Sequence, residues 1–348
     1  MSFGLFTEND HLLSILTTGA LPFTFFFVSN KNSLVGFRIV IISIGLSFIQ
    51  IACKQIKKDE QSRALAKSDV FSTQFWAHHY SMEMDVPYGD DPDQRLDIYT
   101  HGKYIGEPSW FTRSKDKKPT LVWIHGGGWR YGNKETDAWF FTHFLERGWN
   151  VVNVEYRKGV GTAPDAAEDV LTVMEWIGDN AETYRLDTNT FVVSGAASGG
   201  HLALLAGLVN SVPNSHPSYV GNKIRIHAIV NWYGVTDLQK IETYLSSYLP
   251  NQNFVSNWVK GKENISEIYR KYSPIYYITE NAPSILTIQG DMDTLTPYDQ
   301  AELLHEKLES LGVTNQLLTL KGGTHLGFTE EQFQLIFKTI FAFVGDNP

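Results

Sequence analysis

The chain holds a single cysteine, Cys53, in 348 residues, so no intrachain disulfide can brace it. That suits a reducing compartment. Basic residues are outnumbered, 29 Lys and Arg against 38 Asp and Glu, for a formal net charge of -9. No Arg-rich patch or basic run breaks this pattern, which argues against nucleic acid as the main ligand. No set of His, Cys and carboxylates has the spacing of a metal site, and no metal or organic cofactor is called for. Internal repeats and low-complexity segments are also missing. Charged residues make up only 19% of the chain and hydrophobic ones 43%, so a large core is allowed and disorder is not expected.

What is present divides into an apolar N-terminal region and an alternating body. Residues 12–28 carry no charge, and residues 34–52 carry only Arg38. Each run is close to the roughly 17–25 residues that span a bilayer. The start lacks a basic stretch before its apolar run, so a cleavable export signal is disfavoured. Residues 1–58 are therefore expected to form a hydrophobic helical hairpin, embedded in a membrane through residues 12–52, or an arm packed on the body or on a second copy. The location expected is membrane-associated or cytoplasmic, and a homo-oligomer is open.

The body, residues 59–348, reads as strands alternating with helices. Residues 82–88 and 95–99 suit two antiparallel strands around Gly89-Asp90-Asp91-Pro92-Asp93. The continuous apolar run at 120–124 suits a strand buried on both faces, and strands are also expected at 149–154 and 191–194. Helices are expected at 138–147, after Pro164 to about Tyr184, at 199–209, 300–311 and 330–344. Further strands are expected at 224–232, 284–289 and 316–320. The stretch from about 235 to 275 is rich in Tyr, Trp and Asn and breaks the alternation, as an inserted cap would. Alternation of this kind implies a mostly parallel central sheet with helices on both faces.

Five motifs punctuate that pattern. His125-Gly126-Gly127-Gly128-Trp129 follows a buried strand directly, and three glycines let the backbone turn its N–H groups toward a ligand. Tyr156-Arg157 precedes Ala163-Pro164-Asp165-Ala166-Ala167-Glu168-Asp169. Gly195-Ala196-Ala197-Ser198-Gly199-Gly200-His201 has the strand–turn–helix frame of a nucleophile elbow, with alanine where G-x-S-x-G places its serine. Gly290-Asp291-Met292-Asp293 leads to Thr296-Pro297. Gly322-Gly323-Thr324-His325 comes last. Acyl transfer needs a nucleophile, a base, a carboxylate to orient the base and donors for the oxyanion, and the order here is nucleophile, acid, base.

With these motifs in this order, the chain resembles the α/β-hydrolase superfamily from about Glu83 to Phe343. It is most similar to the esterase/lipase branch related to hormone-sensitive lipase, feruloyl-esterase-like and kynurenine-formamidase-like enzymes. The resemblance implies an α/β-hydrolase fold and a Ser-His-Asp triad. Ala197 would occupy the nucleophile position, His325 would be the base, and Asp293 the orienting acid, with Asp291 its rival. Backbone N–H groups of Gly127, Gly128 and Ser198 would form the oxyanion hole. Trp129 and Trp232 are candidates for the substrate pocket, though Trp129 could equally be core. Glu168 and Asp169 would either pin the glycine loop or simply open a solvated helix.

Three readings of Ala197 are open. A serine exchanged for alanine would leave binding intact and block acylation. A homologue could bind ligand without catalysis. Ser198 could stand in, one residue late, although a shift of that size misdirects a side chain on a tight turn. The first is favoured because His325 and Asp293 both remain. The expected substrate is a small to medium ester, apolar or aromatic in part. Formamide or amide hydrolysis by the same site is the nearest alternative.

Overall fold

The structure, a computed structural model, describes residues 80–101, 118–219 and 221–345, and the backbone of 3–8, 11–16 and 25–28. The chain divides into two units, Met1–Ser72 and Thr73–Pro348. In the first, β1 (Phe3–Glu8), β2 (His11–Leu16) and β3 (Phe25–Val28) form an antiparallel sheet. Extended backbone thus stands at 12–16 and in β3, where a helical hairpin was expected. A run such as Phe25-Phe26-Phe27-Val28 is rich in residues that suit a pleated strand. The remainder of the two apolar runs and the His78-His79 pair lie outside the described residues. Among those described, no helix is long and apolar enough to cross a membrane.

The second unit is built on eight strands. They are β4 (Tyr80–Pro87), β5 (Arg95–His101), β6 (Thr120–Ile124), β7 (Asn150–Val154), β8 (Phe191–Ala196), β9 (Ile226–Trp232), β10 (Ser284–Gly290) and β11 (Asn315–Leu320). Their order across the sheet is β11-β10-β9-β8-β6-β7-β5-β4. Pairing is antiparallel at β4–β5 and β5–β7 and parallel from β7 to β11. This is the mostly parallel sheet anticipated from the alternation of elements, in the α/β-hydrolase arrangement that the resemblance implied. β6, β7 and β8 lie mid-sheet and are buried throughout, so that even their polar residues, Thr120, Asn150, Asn153 and Ser194, are enclosed.

Side-chain alternation divides the core between the two faces of the sheet. Leu121, Trp123, Val151 and Val192 point to one face and pack with Phe140, Phe141 and Phe144 of α1 (Ala138–Glu146) and Ile336 and Ile340 of α8 (Glu330–Phe343). Val122, Ile124, Val152 and Val193 point to the other. There they meet α2 (Asp165–Tyr184), α3 (Ser198–Val209) and α7 (Asp299–Ser310). α3 is buried at all its residues, in keeping with a sequence apolar on every side.

Between β9 and β10 the alternation breaks as expected. The insertion folds into α4 (Leu238–Tyr248), α5 (Phe254–Trp258) and α6 (Ile265–Tyr272). It is fastened to the body at several points, two of them around Tyr272. His201 on α3 donates from Nε2 to the Tyr272 carbonyl at 2.7 Å, and burial pushes its pKa down to about 4, so it stays neutral. Glu168 at the start of α2 receives the Tyr272 hydroxyl and lies 3.1 Å from Lys271 Nζ and 3.0 Å from His216 Nε2.

Candidate active site

The sheet delivers its loops to one edge, at the carboxyl ends of the parallel strands, where open α/β sheets hold their ligands. The sharpest corner is at β8–α3. Ala197 sits there with φ 54 and ψ -116, a conformation that costs a residue with a Cβ about 1–3 kcal/mol. Packing enforces the corner. A Cβ on Gly199 would come within 2.1 Å of the Ile124 carbonyl oxygen, so only glycine lets α3 approach β6 this closely. Ala197 N–H donates to Trp232 O at 2.9 Å, and its own carbonyl accepts His201 N–H at 3.0 Å. The strand-to-helix corner required of an elbow is therefore present, with a methyl group at its tip.

The glycine loop after β6 faces that corner. Gly127 has φ 124, and a Cβ there would meet Tyr131 O at 2.0 Å. Gly128 also has positive φ. The N–H groups of Gly127, Gly128 and Ser198 donate no hydrogen bond among the described residues, and all three residues line the same cavity. The loop is held from behind by acids. Gly126 N–H donates to Asp137 Oδ2 at 3.1 Å. The His125 ring stacks on Tyr156 and places Nε2 2.9 Å from Glu155 Oε1. Burial pushes the Glu155 carboxyl up, but His125, Lys158 and the Lys134 N–H outweigh it and hold the pKa at about 2.

His325 comes from the loop after β11. Its Nδ1 lies 2.7 Å from Asp293 Oδ2, and its side chain is 15% exposed. Asp293 is fully engaged: Oδ1 accepts Leu295 and Thr296 N–H at 2.9 Å each, and Oδ2 also accepts Gln289 Nε2 at 3.2 Å. Asp291 is exposed and bound instead to Gly322 N–H at 2.6 Å, so the rival acid stabilises the loop without touching the imidazole. The ring of Tyr233 lies against His325 with centroids 4.7 Å apart, on a backbone held at φ 42.

Ala197, His325, Tyr233, Asp137 and the glycine loop share a cavity of about 530 Å³, with Val235, Phe254, Leu295 and Leu326 forming much of its apolar lining. Several sequence expectations change here. Trp129 does not wall the pocket. It is fully buried, stacked on Trp258 of α5 at 4.6 Å and edge-on to His201 at 5.1 Å, so it joins the glycine loop to the inserted helices. Trp232 is also core, packed edge-on to Phe140 with centroids 4.9 Å apart, because its position in β9 points it to the α1–α8 face. Ser198 is 3% exposed; its hydroxyl is buried near the Tyr156 phenol, in no well-formed hydrogen bond. Asp169 does not reach the glycine loop either. It accepts the Arg157 guanidinium and backbone N–H and Gln94 Nε2. Among the described residues, no group of His, Cys and acids could hold a metal.

Asp137 was not singled out from sequence, and Tyr233 stood out only as one of several aromatic residues between 232 and 277 that could line the pocket. The polar residue just before α1 and the tyrosine after β9 resemble many loop residues, and only the folded chain brings them to the cavity.

Known proteins resemble this chain in the same region. The BD-FAE family model matches residues 110–308. Esterase LipC of Mycobacterium tuberculosis is 28% identical over 246 residues, covering 69% of this chain and 58% of LipC. Isoprenylcysteine alpha-carbonyl methylesterase ICME of Arabidopsis thaliana is 23% identical over 250 residues, 69% of this chain and 55% of that protein. The chain thus spans little more than half the length of these relatives. Among solved structures, inhibited esterase B from Lactobacillus rhamnosis superposes with a TM-score of 0.63 at 17% identity, covering 86% of this chain and 95% of that one. The last likeness concerns the fold alone.

Proposed function

The chain belongs to the BD-FAE family, and on that footing we propose that its cavity is the acyl-transfer site of a carboxylic ester hydrolase, complete except for an oxygen at position 197. One observation carries the reading: the His325–Asp293 pair and three unspent N–H donors converge on a residue held in the strained corner of an elbow. With serine at position 197, its Oγ attacks the ester carbonyl and His325 Nε2 takes the proton. Asp293 keeps Nδ1 protonated and stabilises the imidazolium. The Gly127, Gly128 and Ser198 N–H groups receive the oxyanion, each donor worth about 3–4 kcal/mol in the transition state. His325 then protonates the leaving alcohol, and water attacks the acyl-enzyme by the same route. With alanine, the chain binds ester and stops before acylation.

The apolar lining at Val235, Phe254, Leu295 and Leu326 supports an ester with an apolar part. The activity named for the Arabidopsis relative, on an isoprenylcysteine methyl ester, supports the same class. A second reading, ligand binding without catalysis, is favoured by Ala197 itself.

The test is Ala197→Ser, assayed on aryl esters of rising acyl length and on a formamide such as formylkynurenine. Ester turnover is expected to rise about 10⁴- to 10⁶-fold over the unsubstituted chain. Formamide turnover exceeding ester turnover would move the assignment to amide hydrolysis. No gain on any substrate would leave the binding reading and remove the catalytic one.

A further inference from the structure

One polar group in the cavity has no part in acyl transfer. Asp137 immediately precedes α1 and lines the cavity beside Thr136 and Tyr233. Its Oδ2 accepts the Gly126 N–H, while Oδ1 receives no hydrogen bond from any described residue. Neighbouring polar groups do not supply a donor. The Thr136 hydroxyl donates to Asn133 O at 2.8 Å. The two nearest cations in the loop network are committed elsewhere: Lys134 Nζ lies 3.0 Å from Asp97 and 2.9 Å from Asp85 and Glu135, and Lys158 is bound to Glu155.

The charge pattern of the wall is as informative. Among the described residues no Lys or Arg lines the cavity, and Asp137 is the one carboxylate that does. A carboxylate oxygen without a donor in a partly buried site carries a desolvation cost, which a ligand N–H or O–H offsets. A ligand carboxylate would instead meet a like charge in a region of reduced dielectric. Burial does push the Asp137 carboxyl above its usual range, with the Gly126 N–H and His125 acting in the opposite sense. In either protonation state the group can still accept from a donor on the ligand.

We propose that Asp137 is a specificity-determining residue that reads a hydrogen-bond donor, an ammonium or a hydroxyl, on the substrate ester and excludes esters bearing a carboxylate. The substrate is then two-sided, with an apolar part toward Val235, Phe254 and Leu295 and a donor toward Asp137. The inference rests on the ester reading of the cavity, but it is tested by binding rather than turnover.

The experiment uses the unsubstituted chain, which cannot acylate, and four methyl esters of one shape: phenylalanine (ammonium), phenyllactate (hydroxyl), hydrocinnamate (hydrogen) and the half-ester of benzylmalonate (carboxylate). Affinities are measured by calorimetry. The ammonium or the hydroxyl ester is expected to bind about 10- to 100-fold tighter than hydrocinnamate, the carboxylate ester weakest of all. Preference for ammonium over hydroxyl, with the carboxylate ester weakest, identifies the ionised Asp137 that the inference needs; preference for hydroxyl together with tight binding of the carboxylate ester identifies a neutral, donating Asp137 and overturns it. Asp137→Asn keeps an oxygen for Gly126 N–H and should abolish the preference among the four esters. Four equal affinities, a carboxylate ester bound as tightly as the ammonium one, or a preference that survives Asp137→Asn would each overturn it. Because the four-ester comparison needs no variant, poor folding of Asp137→Asn leaves it decisive. Failure of the ester reading shows separately, as absent turnover after Ala197→Ser.

Discussion

The two halves of the site are built to different degrees. On the β10–β11 side the acid and base are tied in place: Asp293 accepts four hydrogen bonds, one of them from His325, and Tyr233 backs the imidazole. On the β8–α3 side the backbone carries the strain of a nucleophile corner, yet its side chain offers only a methyl group. The difference teaches that the corner is shaped by its surroundings and not by the residue at its tip. Gly199 packed on Ile124 and the Ala197 N–H bound to Trp232 O impose φ 54 whatever side chain is there. Removing an oxygen from such a corner changes the chemistry and leaves the geometry standing.

The largest effect that could break this comparison is in the complete half. In the Ala197→Ser background, Asp293→Asn should lower kcat by about 10⁴-fold, because the amide holds the wrong tautomer of His325. Asp291→Asn, altering an exposed carboxylate bonded only to the loop, should leave kcat within a small factor. Equal losses at both positions in steady-state assays would show that the ordered half is not organised around Asp293.

Much of this was legible in sequence. The central strands announced themselves because burial on both faces leaves β6, β7 and β8 mostly apolar, with Thr120, Asn150, Asn153 and Ser194 as their buried polar residues. The elbow frame, the glycine loop and the order of Asp293 and His325 were legible because each turn has strict residue requirements. What could not be read was which way a large side chain points. Trp129 is as apolar as any pocket wall, and only the left-handed turn at that residue, φ 56, shows it sitting between His201 and Trp258. The acids that hold the glycine loop were also hidden. Glu168 and Asp169 stood out beside a proline at a helix start, whereas Glu155 and Asp137 reach the loop through contacts distant in sequence.

A smaller effect sharpens the strained half. Ala197→Gly relieves the positive φ at a modest entropic cost, and is expected to stabilise the fold by up to about 1 kcal/mol. Ala203→Gly, at a buried position inside α3, should instead destabilise it by about 1 kcal/mol or more. Chemical denaturation of the two variants checks the sign. Destabilisation by both would mean that the corner is not strained.

The last of these effects concerns the loop shared by the two halves. The Glu155 carboxyl is held at about 2, below the ordinary value of 4.5, so its contribution to stability is present above about pH 4.5 and is lost as pH falls toward 2. Glu155→Gln should therefore narrow the stability difference from the unsubstituted chain across that window, with the largest gap at neutral pH. Denaturation midpoints followed against pH would record it; a gap that does not change with pH would contradict the assignment.

The central claim, that position 197 is the nucleophile site of an otherwise complete hydrolase, is tested most directly by covalent labelling. The unsubstituted and Ala197→Ser chains are treated with an alkyl phosphonate ester and the adduct is located by peptide mass spectrometry. The account predicts one adduct, on residue 197 of the Ala197→Ser chain, and none on the unsubstituted chain. An adduct on Ser198 in either chain, or no adduct in both, would contradict it.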